Sequence, residues 1–153
     1  MLKKFELVGK SLEQFQGNRL EFTSKFYEIL LTVHPELRRF FNNKDLLKQK
    51  KMLSGLLIII SRRWRQPQTL ASILRRIGGN HFRYGVKPEY FTIFEEVFLM
   101  TLEIQMGSNW TKEMQQAWSQ AFDEMIEWMV EGYEEEKNQT RSAATFVLRH
   151  KFS

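Results

Sequence analysis

Residues 67–91, PQTLASILRRIGGNHFRYGVKPEYF, carry Leu70, Ile73, Leu74 and Ile77 at the three-to-four spacing of a helix buried along one side. A further step of four lands on His81, so its imidazole faces the same way as the apolar side chains. Pro67 suits the first turn of this helix, where its missing N–H would have no partner anyway. Gly85 breaks the helix within four residues of the histidine, and Gly78 and Gly79 leave room on it for a bulky neighbour. A lone inward histidine is more often a hydrogen-bonded core residue than a metal ligand. Near a helix C-terminus, however, carbonyls without an intrahelical partner can accept one ring N–H, which leaves the other nitrogen free to bind a metal.

Outward from this helix the same periodicity recurs. Downstream, Pro88 opens a segment to Met106 with Phe91, Phe94, Phe98 and Leu102 on one face, and Thr111 and Glu113 open a long last helix carrying Met114, Ala117, Trp118, Ala121, Phe122, Met125 and Met129. Upstream, a helix capped by Asp45 carries Leu53, Leu56, Leu57, Ile60 and Trp64. Residues 3–16 and 19–33 read as two helices parted by Gly17 and Asn18, and a short one begins at Pro35 and ends near Phe41. Seven helical segments without a strand or an internal repeat make the chain all-α. The domain is expected to end at Tyr133. Residues 134–153 are expected to form a polar C-terminal tail that frays, docks on a partner or links to another domain.

Composition narrows the chemistry. The 153 residues suit one domain with its own core. The chain has no cysteine, which excludes disulfides, thiolate ligands and thioether attachment of a cofactor. Its 14% aromatic content, including 13 Phe, offers more flat apolar surface than a core of this size usually needs, as a planar apolar ligand would use. Charges are interleaved in the first 20 residues, unlike a secretory signal. The longest apolar run, Leu56–Ile60, is far below the roughly 18 residues of a membrane span. A cytoplasmic protein is expected. The net charge of +5 gathers at Lys48, Lys50 and Lys51, at Arg62, Arg63 and Arg65, and at Arg75 and Arg76. No nucleic-acid motif accompanies these clusters, so they read as solvated helix faces and no nucleic-acid partner is expected.

Around His81, Phe40, Phe41, Phe91, Phe94 and Phe98 could wall a large apolar disc, while Tyr27, in an otherwise apolar helix, and Gln49 could donate a hydrogen bond to a ligand, with Leu53 as their apolar neighbour. At this point a family comes into view. FYEILLTVHPELRRFF resembles the second and third helices of bacterial globins, HFRYGVKPEYF resembles their proximal histidine and the turn behind it, and AWSQAF resembles part of their last helix. The resemblance spans about residues 10–133 and is nearest to the single-domain globins similar to the globin domain of flavohaemoglobins, with some likeness to neuroglobins in GVK and AWSQ.

The resemblance implies a globin fold, a three-on-three helical sandwich, around a non-covalent haem b (iron protoporphyrin IX). It implies His81 as the proximal iron ligand and Phe41 as the phenylalanine wedged against the haem. The distal pocket would comprise Tyr27, Gln49 and Leu53, and the remaining haem contacts Leu74, Ile77, Tyr84, Val86, Phe91 and Phe94. The corner between Phe41 and Gln49 is shorter here than in that family. The chain also departs from it where a tyrosine and a glutamate tie the proximal histidine: Phe91 and Tyr133 stand at those positions, and the neighbours Tyr90 and Glu131 would substitute only after a shift in helix register. The expected function is reversible binding of O2, CO or NO for storage, delivery or scavenging. The alternatives are nitric oxide dioxygenation with a separate reductase, and gas sensing through a signalling partner.

Overall fold

Proline and glycine punctuate the chain at helix ends. Pro35 and Pro67 lie in the first turns of their segments, Pro88 immediately precedes another, and Gly85 and Gly107 take left-handed φ values of 74° and 53° just past helix C-termini. The computed structural model describes residues 2–14 and 18–151. In chain order it contains α1 Leu2–Glu13, α2 Arg19–Val33, a 310 segment Pro35–Phe40, α3 Asn43–Arg63, α4 Pro67–Arg83, α5 Glu89–Met106, a 310 turn Gly107–Asn109 and α6 Lys112–Lys151. No strand occurs among the described residues. Gly17, read as part of the first break, lies outside them, as do Phe152 and Ser153; Asn18 directly precedes α2.

Helix starts follow local hydrogen bonding. Asn42, not Asp45, caps α3: its side chain accepts from the Asp45 N–H at 2.9 Å. Both residue types cap well, and Asp45 instead places its carboxylate in the first turn, where the helix dipole favours it. At the start of α6, the Thr111 hydroxyl accepts from the Met114 N–H at 3.1 Å.

Phe98 of α5 is the hub of the core. Its ring centroid lies 5.3 Å from Phe22 and 5.6 Å from Phe26 of α2, and 5.5 Å from Trp118 and 5.1 Å from Phe122 of α6. Edge and tilted packing of this kind uses the ring quadrupoles as well as apolar burial. A buried polar chain ties in α1: Trp118 Nε1 donates to Ser11 Oγ at 2.9 Å, and Ser11 Oγ donates to the Val8 carbonyl at 2.7 Å. Each donor is thereby satisfied away from water.

The C-terminal segment, expected as a polar tail that frays, docks or links to another domain, continues the last helix. α6 runs without a break through residues 134–151, and every residue from 138 to 150 is exposed. Beyond Gly132 this stretch contains neither glycine nor proline. The costly step in helix formation is nucleation, whereas propagation from an existing turn is cheap. Packing of α6 up to the level of Glu136 thus seeds a helix that needs no apolar stripe of its own to continue.

Candidate functional site

His81 occupies the last turn of α4 and is half-buried. The carbonyls at this helix end are mostly occupied: Asn80 O accepts from Tyr84 N–H at 3.1 Å, His81 O from Val86 N–H at 2.9 Å, and Phe82 O from Gly85 N–H at 3.1 Å. The left-handed Gly85 permits this turn. The ring reaches one turn back instead, with Nδ1 at 2.7 Å from the Ile77 carbonyl oxygen. A carbonyl only accepts, so Nδ1 carries the proton and Nε2 keeps its lone pair. Burial pulls the imidazole pKa below its ordinary value, opposed by the bond to Ile77. The resulting neutral ring has one nitrogen anchored and the other able to bind a metal.

Aromatic rings gather in two groups, one at this histidine and one around Tyr27. Phe91 meets the His81 ring edge-on at 5.4 Å, with 82° between the planes. One turn along α5, Phe94 lies 4.6 Å from Phe26, which lies 4.9 Å from Tyr27, which lies 5.7 Å from Phe41. Phe41 reaches Tyr27 because it ends the 310 segment in extended backbone. Tyr27 is buried, and that burial pushes its hydroxyl pKa well above the ordinary phenol value, with no charge or hydrogen bond contributing. It is a permanently protonated donor in an apolar surround.

Leu53, Leu74 and Phe91 are buried, while Phe41, Ile77 and Phe94 are partly buried against the same core. Gln49, on α3 one turn before Leu53, and Val86, in the turn behind the histidine, are half-exposed. Tyr84 stands apart: as the residue ending α4 it is 68% exposed and is not drawn into this cluster.

Neither substitute for the proximal relay reaches the histidine. Glu131 accepts from Arg75 Nε at 2.8 Å on the outer side of the α4–α6 pair. The Tyr90 hydroxyl accepts from Arg39 at 2.9 Å, and its ring packs on Phe40. Tyr133 lies edge-on to Phe82 at 5.3 Å, and Phe91 offers His81 only a ring edge. Neither partner was foreseen from the sequence, where Arg75 read as a member of a solvated cluster and Arg39 was not singled out.

The donor set suits a metal that carries in-plane ligands of its own. Among the described residues no group of three or more His, Cys, Asp or Glu side chains is placed to hold a metal ion. A single anchored imidazole that meets the Phe91 ring, on the helix that carries the apolar Leu74 and Ile77, fits iron held in a flat apolar macrocycle, and Tyr27 adds a buried hydroxyl donor. Among the described residues, no helix is long and apolar enough to cross a membrane.

Comparison with known proteins gives a consistent picture. The globin family model matches residues 24–129. The chain is 26% identical over 122 residues to a flavohemoprotein of Bacillus subtilis, a match covering 78% of this chain and 31% of that relative. It therefore spans about a third of the relative's length. Among solved structures, a bacterial globin from Campylobacter jejuni superposes with a TM-score of 0.77 at 18% identity, covering 90% of this chain and 99% of that one. An engineered carbene transferase, a variant of a proposed nitric oxide dioxygenase from Rhodothermus marinus, also gives 0.77, at 22% identity over 92% of this chain and 96% of its own.

Proposed function

The chain belongs to the globin family, and from that premise we propose that it holds a haem b through His81 and binds a diatomic gas, O2 foremost, on the side of Tyr27. The anchored imidazole carries this reading: Nδ1 is committed to Ile77, and burial keeps the ring neutral. Without cysteine the haem is held non-covalently. When bound, it would supply the iron that takes up the gas. The chain's own residues do the rest. His81 would hold that iron, Phe41, Leu53, Leu74, Ile77, Phe91 and Phe94 would exclude water from the ring, and Tyr27 would donate a hydrogen bond to the gas with Gln49 as helper.

The test is an absorption spectrum of protein expressed with haem available. A Soret band that sharpens and shifts when carbon monoxide is added to the reduced form is the expected result. A colourless protein that takes up no added haem refutes the reading.

The proximal side favours a carrier over an oxidising enzyme. A carboxylate bonded to the histidine N–H would give the ring imidazolate character and promote O–O cleavage, whereas a carbonyl is a weaker acceptor. Here the acceptor is the Ile77 carbonyl, and Glu131 is held by Arg75. The iron–histidine stretching frequency of the five-coordinate ferrous form is therefore expected to lie below that of the flavohaemoglobins, with poor peroxidase activity. A frequency equal to theirs would show a carboxylate acting on the histidine and would remove the preference for a carrier.

The likeness to a flavohemoprotein favours a second reading, nitric oxide dioxygenation to nitrate. The electrons would come from a separate reductase, and sustained nitric oxide consumption with a flavin reductase supplied would select this reading. A sensor acting through the exposed end of α6 would instead bind gas without turnover.

A further inference from the structure

Glycine is, after proline, the poorest helix former, yet Gly78 lies inside α4 and Gly132 inside α6. They face each other reciprocally. A Cβ on Gly78 would overlap the backbone carbonyl of Met129, and one on Gly132 would overlap the backbone carbonyl of Arg75. Backbone cannot rotate aside as a side chain can, so either methyl would force the two helices apart. Neighbouring glycines differ. A Cβ on Gly79 would meet Gly132 O at 3.5 Å and Glu136 Cβ at 3.6 Å, ordinary contacts, and one on Gly55 in α3 would meet nothing within 4 Å. The crossing is also tied on its exposed side by Arg75 to Glu131 at 2.8 Å and Arg83 to Glu136 at 3.0 Å.

We infer that Gly78 and Gly132 are positioning residues for His81, setting by backbone contact how far its imidazole projects into the site; this rests on the haem reading above. Gly78 precedes His81 by less than one turn, and at 3.6 residues per turn their side-chain directions differ by about 60°. Moving α4 away from α6 therefore draws the imidazole partly back from the direction it faces. No rotatable side chain lies between the two backbones to absorb the change. Of the groups that meet the ring, the Ile77 carbonyl travels with α4 and Phe91 offers an edge.

Resonance Raman of the haem-loaded, ferrous, ligand-free protein tests this. Gly78→Ala and Gly132→Ala are expected to lower the iron–histidine stretching frequency. They should also weaken haem affinity on the order of ten- to a hundredfold, the range for groups that orient a metal-ligating histidine. Gly79→Ala and Gly55→Ala should leave the band in place. So should Gly9→Ala, which crowds the Trp64 ring near the start of α4, at the end of that helix opposite to His81, and so controls for general destabilisation. If neither glycine variant folds, Gly79→Val wedges the same crossing more gently and should lower the band by a smaller amount. An unmoved band in the folded crossing variants, or an equal shift in Gly9→Ala, overturns the inference. A parent protein with no iron–histidine band refutes the haem reading itself, and this inference with it.

Discussion

His81→Ala is expected to lose its haem on desalting and with it the Soret band, while keeping the helical signature of the parent. Removing the ligand should cost more than the roughly ten- to hundredfold lost when only a partner orienting a metal-bound histidine is removed. The fold should survive because His81 is half-buried and makes one hydrogen bond, to its own helix, while α4 is held by Leu70, Leu74 and the close crossing with α6. Imidazole added to the variant should enter the space left by the ring and restore a haem spectrum, since the surrounding Phe and Ile side chains remain. Far-ultraviolet circular dichroism and absorption spectra before and after imidazole make the check. A variant that kept the parent spectrum would show that His81 is a core residue and that another group binds the iron.

Tyr27→Phe is expected to release oxygen roughly ten to a hundred times faster. Dioxygen held there on iron would carry partial negative charge, and a hydrogen bond to a charged acceptor contributes about 1.5–3 kcal/mol, with each 1.4 kcal/mol worth about tenfold. The Tyr27 hydroxyl can supply that bond at any working pH, because burial raises its pKa and nothing else lowers it. Burial of the ring against Phe26 and Phe41 leaves the phenylalanine variant well packed, so the effect isolates the hydroxyl. Carbon monoxide gains little charge and should respond far less. Stopped-flow release of both gases from parent and variant provides the measurement; equal acceleration of the two would mean that Tyr27 acts by shape and not by hydrogen bonding.

The histidine was readable from the chain because the evidence for it is local. The stripe from Leu70 to Ile77 and the next step to His81 depend only on helical periodicity, and α4 spans Pro67–Arg83 accordingly. Tyr27 stood out as a polar tip in an apolar helix, and the structure buries it. Tyr84 looked equivalent to its neighbours in the turn, yet it is exposed, since periodicity gives no direction to a residue at a helix end. The polar stretch after Tyr133 has no apolar face of its own to mark it as helix, and the packed part of α6 carries the helix onward through it.

Periodicity, the proline and glycine stops and the absence of cysteine thus determined, from the sequence alone, an all-helical chain with one inward histidine and no thiol for a thioether link. Only the tertiary structure decided which groups meet across helices. It paired Glu131 with Arg75 and Tyr90 with Arg39, kept both away from the histidine, and set Gly78 and Gly132 each against the backbone of the facing helix. These partners lie 51 to 56 residues apart in the chain. The physical reason is one of range: a repeat of 3.6 residues fixes which side of a helix is buried, whereas the register between two helices follows from how all their side chains pack at once, which no local stretch contains.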